Sequence, residues 1–320
     1  MAIIVTGGTG FIGAEVLRLL LEQGESDLVA FDINADTSRL DEIASDVELV
    51  RGDVGNFSQV LSLVQRVRPK AIYHLGGMLS APSEIEPAAS FQANAAGTFY
   101  VLEAARLFDV PKVIFSSTVG TYGDDIEGET IDDLTLQRPV LFYGATKLFG
   151  ELMGRFHRRK HGLDFRGVRF PVVIGPGVRT PGVAQFASWA IENSALGKPF
   201  ELWVEPRTRL PSIYYKDAAR SVIDVAIPPM DEITTQVYAL NGFSPAATAG
   251  ELVAMIERKV QGAALTFAPD PDIQAMLDKA LLAIDDRRAR EEWGWSPRYD
   301  LEAMVDDFLS ELDRHPQRYR

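Results

Sequence analysis

The sequence predicts a doubly wound α/β fold: a parallel sheet covered by helices on both faces, followed by a smaller mixed α/β lobe. Three observations carry this. A glycine-rich turn, TGGTGFIG, directly follows the first apolar run and opens a helix-period segment. Four further short apolar runs recur between longer helical patterns. Near Pro171 that rhythm breaks.

AIIV (2–5) is the first strand, and FIGAEVLRLLLEQG is the first helix, ending at Gly24. DLVAFDI, VELVRGD and AIYHLGG are the second, third and fourth strands, and KVIFSST (112–118) is the fifth. Long helices are expected over roughly 87–109 and 142–161. Continuous apolar strands joined by helical crossovers imply a sheet buried on both faces, with ligands beyond the strand C-termini. RFPVVIGPGVRTPG (169–182) holds three prolines and three glycines and reads as a loop leaving a strand. SIYYKDAARSVIDVAI (212–227) reads as a strand-to-helix return to the sheet. The dinucleotide domain is therefore 1–172 plus about 212–240, and the substrate lobe about 173–211 plus 241–320. HRRKH (157–161) reads as a solvated helix end whose charge suits the dipole there.

Composition narrows the class. The chain of 320 residues is 46% hydrophobic and 24% charged, enough to build a sizeable core. A net charge of −13 argues against a nucleic-acid surface. With no cysteine there are no disulfides, thiolate metal sites or thiol nucleophiles, and a reducing compartment fits. No apolar run approaches the roughly 18–20 residues of a membrane span. The start lacks a basic segment ahead of its apolar run. The reading is a soluble, cytoplasmic protein with no resident metal.

Gly7, Gly10 and Gly13 sit between a strand and a helix mouth, where glycine permits a tight turn and close approach of a pyrophosphate to free N–H groups. Asp32 closes the second strand, where a carboxylate accepts from a ribose diol and repels a 2′-phosphate, favouring NAD over NADP. A helix cap or turn acid is the competing reading. Asp53 is equally a candidate for the adenine amino group or a simple turn residue. HLGG (74–77) ends the fourth strand, where small residues let a dinucleotide cross, and His74 is read as a packed strand histidine.

Tyr143 and Lys147 share one helix face at i and i+4. An ammonium beside a phenol favours the phenolate, which can take a hydroxyl proton while hydride leaves. Ser116, Ser117 and Thr118 end the fifth strand, where Thr118 can hold the substrate oxygen; strand-end capping is the other reading, favoured for Ser116.

Taken together, TGGTGFIG, Asp32, GDV, HLGG, NAAGT, SSTVGTYG, YGATK and RFP resemble, in order, the extended short-chain dehydrogenase/reductase family, also called the NAD-dependent epimerase/dehydratase family. The resemblance implies a Rossmann sheet holding NAD, with contacts at Gly7, Gly10, Phe11, Ile12, Gly13, Asp32, Asp53, Val54, Leu75, Gly76, Gly77, Asn94, Ser116, Lys147, Phe170 and Pro171. It implies Tyr143 as base, Lys147 as its activator, Thr118 as the hydroxyl partner, and a homodimer through the helices near 87–109 and 142–161. Nucleotide-sugar members carry an Arg-Asp pair that clamps a diphosphate. Here Leu210 and Pro211 stand at that pair, with Arg209 one residue off. GGMLSA, LPSIYYKDA and EWGWSPRYDLEAMVDDF look more like the short-chain type of L-threonine 3-dehydrogenase, which carries over Ser80 and the glycine at 182 as substrate contacts. That type's two threonines after Gly182 are here Val183 and Ala184. The leading expectation is oxidation of a small polar secondary alcohol, threonine or a related hydroxy compound. The alternative is a nucleotide-sugar 4-epimerase or dehydratase with bound NAD. A non-catalytic dinucleotide sensor is disfavoured by the presence of both Tyr143 and Lys147.

Overall fold

A computed structural model gives the architecture and describes residues 2–280 and 282–319. In chain order, β1 (Ile3–Thr6) feeds α1 (Phe11–Glu22), then come β2 (Leu28–Asp32), β3 (Val47–Arg51), α2 (Phe57–Val67) and β4 (Ala71–His74). The helical region that follows is built from α3 (Ser80–Ile85), α4 (Pro87–Ser90), a π-helical stretch (Phe91–Ala96) and α5 (Gly97–Leu107). Next are β5 (Lys112–Thr118), a short β6 (Thr130–Ile131), α6 (Phe142–His161) and β7 (Asp164–Phe170).

These strands form a seven-stranded parallel sheet of order β11-β7-β5-β4-β1-β2-β3 once β11 (below) is added. The order reverses at β1, whose two neighbours are β2 and β4, and the crevice there opens at the strand C-termini. Successive strand residues enter opposite cores. Ile3 and Val5 join Leu17, Ile114 and Val222 on one face, while Ile4 joins Val29, Phe115 and Phe165 on the other. Both faces are covered, so the central strands β1, β2 and β4 are largely apolar, each buried aliphatic contributing about 1.5–3 kcal/mol.

After Pro171 the chain runs through β8 (Val172–Ile174), α7 (Phe186–Ala195), β9 (Phe200–Leu202), β10 (Ser212–Tyr214), α8 (Tyr215–Asp224) and β11 (Val237–Ala239). It ends with α9 (Ala249–Lys259), β12 (Leu265–Phe267), α10 (Pro271–Ala280), β13 (Ala283–Ile284), α11 (Arg287–Trp293) and α12 (Leu301–Arg314). A separate apolar core gathers Ile174, Phe186, Leu210, Tyr214, Ile256 and Phe308. Tyr214 belongs to that core whereas Ala219 and Val222 of α8 belong to the main one, so the chain crosses between them here.

Two expectations need correction. Val172–Ile174 is not loop: it pairs in parallel with Ser212–Tyr214, and only Pro171, which cannot donate to a ladder, separates it from β7. The HRRKH segment is not simply solvated. His157 is fully buried between Met153 O and Glu103, and Arg158 donates to the carbonyls of Met230 and Ile233.

Candidate active site

β1 ends at Thr6, and the chain turns at Gly7, which has φ +70°. A Cβ there would lie 2.8 Å from Gly76 N, so the ends of β1 and β4 meet backbone to backbone. A Cβ on Gly13 would fall 2.0 Å from Gly7 O, so α1 rides directly on the turn. Gly10 precedes α1 without any side-chain cap, leaving the first-turn N–H groups of Phe11 and Ile12 available to an anion. The Phe11 ring points away from that role. It stacks on Tyr215 at 5.3 Å, and the Arg39 guanidinium lies 5.3 Å from its centre. Asp32 accepts from Thr9 N at 3.1 Å and from Asn34 N at 2.9 Å, bracing the glycine turn while keeping lone pairs for a diol. The cradle, the uncapped helix and the carboxylate fit a dinucleotide.

Asp53 is used locally: its Oδ1 accepts from Gly55 N at 2.8 Å, which satisfies the turn reading. Val54 is buried beneath Gly97. His74 is fully buried between Thr6 Oγ1 at 2.8 Å and Thr98 Oγ1 at 3.0 Å. Burial, aided by Lys147, holds it down to about 3, so it is neutral and structural. Leu75 and Gly76 bond back to Thr6, and Gly77 follows on the open side. Asn94 sits in the π-helical stretch and clamps the loop after β4. It accepts from Met78 N at 2.7 Å and donates to Met78 O at 3.0 Å and to Thr146 Oγ1 at 3.2 Å, tying the loop to α6. Such a stretch often marks a functional site.

Tyr143 lies in the first turn of α6 and Lys147 one turn on. The Lys147 Nζ donates to Ser116 O at 2.8 Å, 4.9 Å from the Phe115 ring centre and 5.9 Å from that of Tyr143. The Ser116 hydroxyl turns back toward His74 O at 3.4 Å, as a strand-end cap does. Thr118 accepts from Gly120 N at 3.0 Å. A Cβ on Gly144 would lie 2.0 Å from Gly120 O, so only glycine lets α6 approach the turn after β5 this closely. The glycine after Tyr143 is the signal in the sequence for this close approach.

Burial pushes the Tyr143 phenol up to about 12. Burial also draws Lys147 down to about 8, against an opposing pull from Glu151.

Ser80 begins α3, and Glu84 on that helix accepts from Tyr143 N at 3.3 Å. Gly182 O accepts from Gln185 N at 3.0 Å, and Trp203 Nε1 donates to Val183 O at 2.8 Å, so the loop that bears Gly182 is pinned through its backbone. Phe170 is buried at the end of β7, with Pro171 beside it. Arg209 is exposed and donates to Ala246 O at 2.9 Å, while Leu210 is buried in the lobe core. Among the described residues no group of acidic, histidine or cysteine side chains could hold a metal ion, and no helix is long and apolar enough to cross a membrane.

The family model described as NAD dependent epimerase/dehydratase matches residues 3–235. The chain belongs to the NAD-dependent epimerase/dehydratase family. It is similar to the mitochondrial L-threonine 3-dehydrogenase of Bos taurus, 27% identical over 310 residues, 96% of this chain and 82% of that protein. A solved holo L-threonine dehydrogenase from Cupriavidus necator superposes with a TM-score of 0.88 at 26% identity, covering 98% of this chain and 100% of the other. A UDP-glucose 4-epimerase from Thermotoga maritima superposes with a TM-score of 0.85, over 98% and 99% of the two chains. Its 22% identity shows the shared fold alone. This protein is an NAD-dependent dehydrogenase/epimerase of that family.

Proposed function

We propose that the protein oxidises the secondary alcohol of a small polar substrate, L-threonine or a related hydroxy compound, with NAD as hydride acceptor. The observation that carries this reading is the seating of the Tyr143–Lys147 turn of α6 on the end of β5. Lys147 is anchored to β5 beneath Tyr143, and the Gly120–Gly144 contact holds the start of α6 against the turn that follows Thr118.

In this reading Gly7, Gly10, Phe11, Ile12 and Gly13 present backbone to the pyrophosphate, and Asp32 holds the adenosine ribose. Asp53 and Val54 flank the adenine. Leu75, Gly76, Gly77, Asn94, Ser116, Phe170 and Pro171 line the path to the nicotinamide, and Lys147 also reaches its ribose. Bound NAD supplies the hydride acceptor and a positive ring. Tyr143, as phenolate, takes the hydroxyl proton of the substrate; the C–H bond electrons leave as hydride and a ketone remains. Thr118 donates to the substrate oxygen, and Lys147 stabilises the phenolate. Ser80 and the Gly182 loop contact the remaining polar groups of the substrate.

A diphosphate-bearing substrate is disfavoured, because Leu210 is committed to the lobe core and Arg209 to Ala246 O. A dianion without a cationic clamp binds poorly. The two-part division at about 172, 212 and 240 follows the crossing of the chain between its cores. Exposed Phe91, Phe99, Leu107, Leu152 and Phe156 on the π-helical stretch, α5 and α6 support a homodimer through these helices. A cysteine-free chain suits the reducing cytoplasm. The test is initial-rate NADH formation from L-threonine, other β-hydroxy amino acids, hydroxy acids and UDP-sugars. Steady NADH from a small hydroxy compound supports the reading, and a converted sugar without net NADH contradicts it.

A further inference from the structure

Beneath the proton-handling pair lies a buried carboxylate that the reaction as drawn does not use. Glu151 follows Lys147 by one helical turn on α6 and is 2% exposed. An isolated carboxylate there would carry a large desolvation cost. Its partners are complete. Arg169 of β7 donates from Nε to Oε1 at 2.9 Å and from Nη2 to Oε2 at 2.7 Å. Gln137 Nε2 donates at 3.0 Å, and Ser117 Oγ donates to Oε1. Arg169 donates onward to Tyr122 OH at 3.0 Å and lies 3.9 Å from Asp133.

The place of Ser117 gives this cluster its meaning. On one side is Ser116, whose carbonyl receives the Lys147 ammonium, and on the other is Thr118. The hydrogen bond from Ser117 to Glu151 therefore fastens the end of β5 to the helix that bears Tyr143 and Lys147. The groups facing Lys147 are few: Tyr143 and Glu151 from its own helix, the Ser116 carbonyl and Phe115 ring from β5, and neutral His74 from β4. Of these, Glu151 carries the opposite charge.

We propose that Glu151 is a positioning residue for the proton-handling pair: it locks the Thr118-bearing strand end to α6, and its charge keeps Lys147 in the ammonium form. This rests on the reading of Tyr143 and Lys147 given above. Burial draws the Lys147 amine down, and the Glu151 carboxylate opposes that. Loss of that charge makes Lys147 shed its proton at lower pH.

The test is the pH profile of kcat for the holoenzyme on its best small hydroxy substrate. In Glu151→Gln the alkaline limb moves to lower pH by about one unit, costing roughly tenfold in rate on that limb. The double variant Glu151→Leu with Arg169→Met removes both charges in similar volume, a kind of replacement that commonly preserves folding. It moves the limb the same way by less, because the repelling guanidinium is gone. Asp133, which burial pushes up to about 6, belongs to the acid side and is controlled by Asp133→Asn. An alkaline limb unchanged in both Glu151 variants overturns the proposal. Tyr143→Phe separates the two levels. If it abolishes turnover while the Glu151 variants keep the parental limb, only this inference fails. If Tyr143→Phe keeps turnover, the underlying reading fails first.

Discussion

The Lys147 ammonium is bonded at 2.8 Å to the main-chain carbonyl of Ser116, so its position is set by β5 as well as by its own helix. A lysine held at both ends loses little further freedom when the phenol beside it ionises. Lys147→Met removes the charge and leaves that buried carbonyl unpaired. The predicted result is a fall in kcat of about 10²–10³, with the activity that remains displaced to higher pH. Initial rates across pH on the purified variant check this.

Asp32 holds the glycine turn through Thr9 N and Asn34 N. Asp32→Ala should both loosen that turn and remove the charge that repels a 2′-phosphate. NAD affinity is expected to fall about tenfold or more, with the preference for NAD over NADP largely lost. Separate fluorescence titrations with NADH and NADPH measure it; tighter NADPH binding by the parent protein would refute the role given to Asp32.

Two hydroxyls are absent from the loop at Val183 and Ala184. If the site accepts a relative of threonine, Val183→Thr with Ala184→Thr should raise kcat/KM for L-threonine by about 10–100-fold, since a polar ligand gains partners it lacked. The comparison of kcat/KM for L-threonine against the best substrate of the parent tests this.

Asp133 gives a stability test. Burial raises its carboxyl to about 6, and its contact with Arg169 at 3.9 Å does not offset that cost. Between the unfolded value near 4 and about 6 the folded state binds more protons, so this group's contribution is fullest below about pH 4 and is lost as pH rises through about 6. Asn at this position keeps an acceptor for Ala239 N, 2.5 Å away. Asp133→Asn is expected to stabilise the protein by about 1–3 kcal/mol at neutral pH and to give no gain near pH 4, read as Tm at each pH.

Much of this was legible in the sequence because it is local. The apolar runs became β1 to β5, and the helix read over 142–161 is α6, since strand and helix periods survive in a single segment. The glycine turn and the Tyr143–Lys147 spacing were readable for the same reason. What escaped depends on partners far along the chain. Val172–Ile174 is a strand because Ser212–Tyr214 lies beside it, and no periodicity shows in so few residues. Glu151 and Arg169 are far apart in the chain's local pattern and become partners only when folding buries them against each other. His157, in a run of basic residues, looked solvated but is covered by Glu103 and the α6 backbone. The phenol's upward shift also comes from burial, which spacing alone does not reveal.

The central claim is that Tyr143 takes the substrate's proton. The most direct measurement is kcat of Tyr143→Phe on the best small hydroxy substrate, with NADH affinity titrated on the same sample. The predicted result is a loss of about 10²–10⁴ in kcat with NADH binding within about threefold of the parent. Near-parental turnover by a correctly folded, NADH-binding variant would contradict the claim.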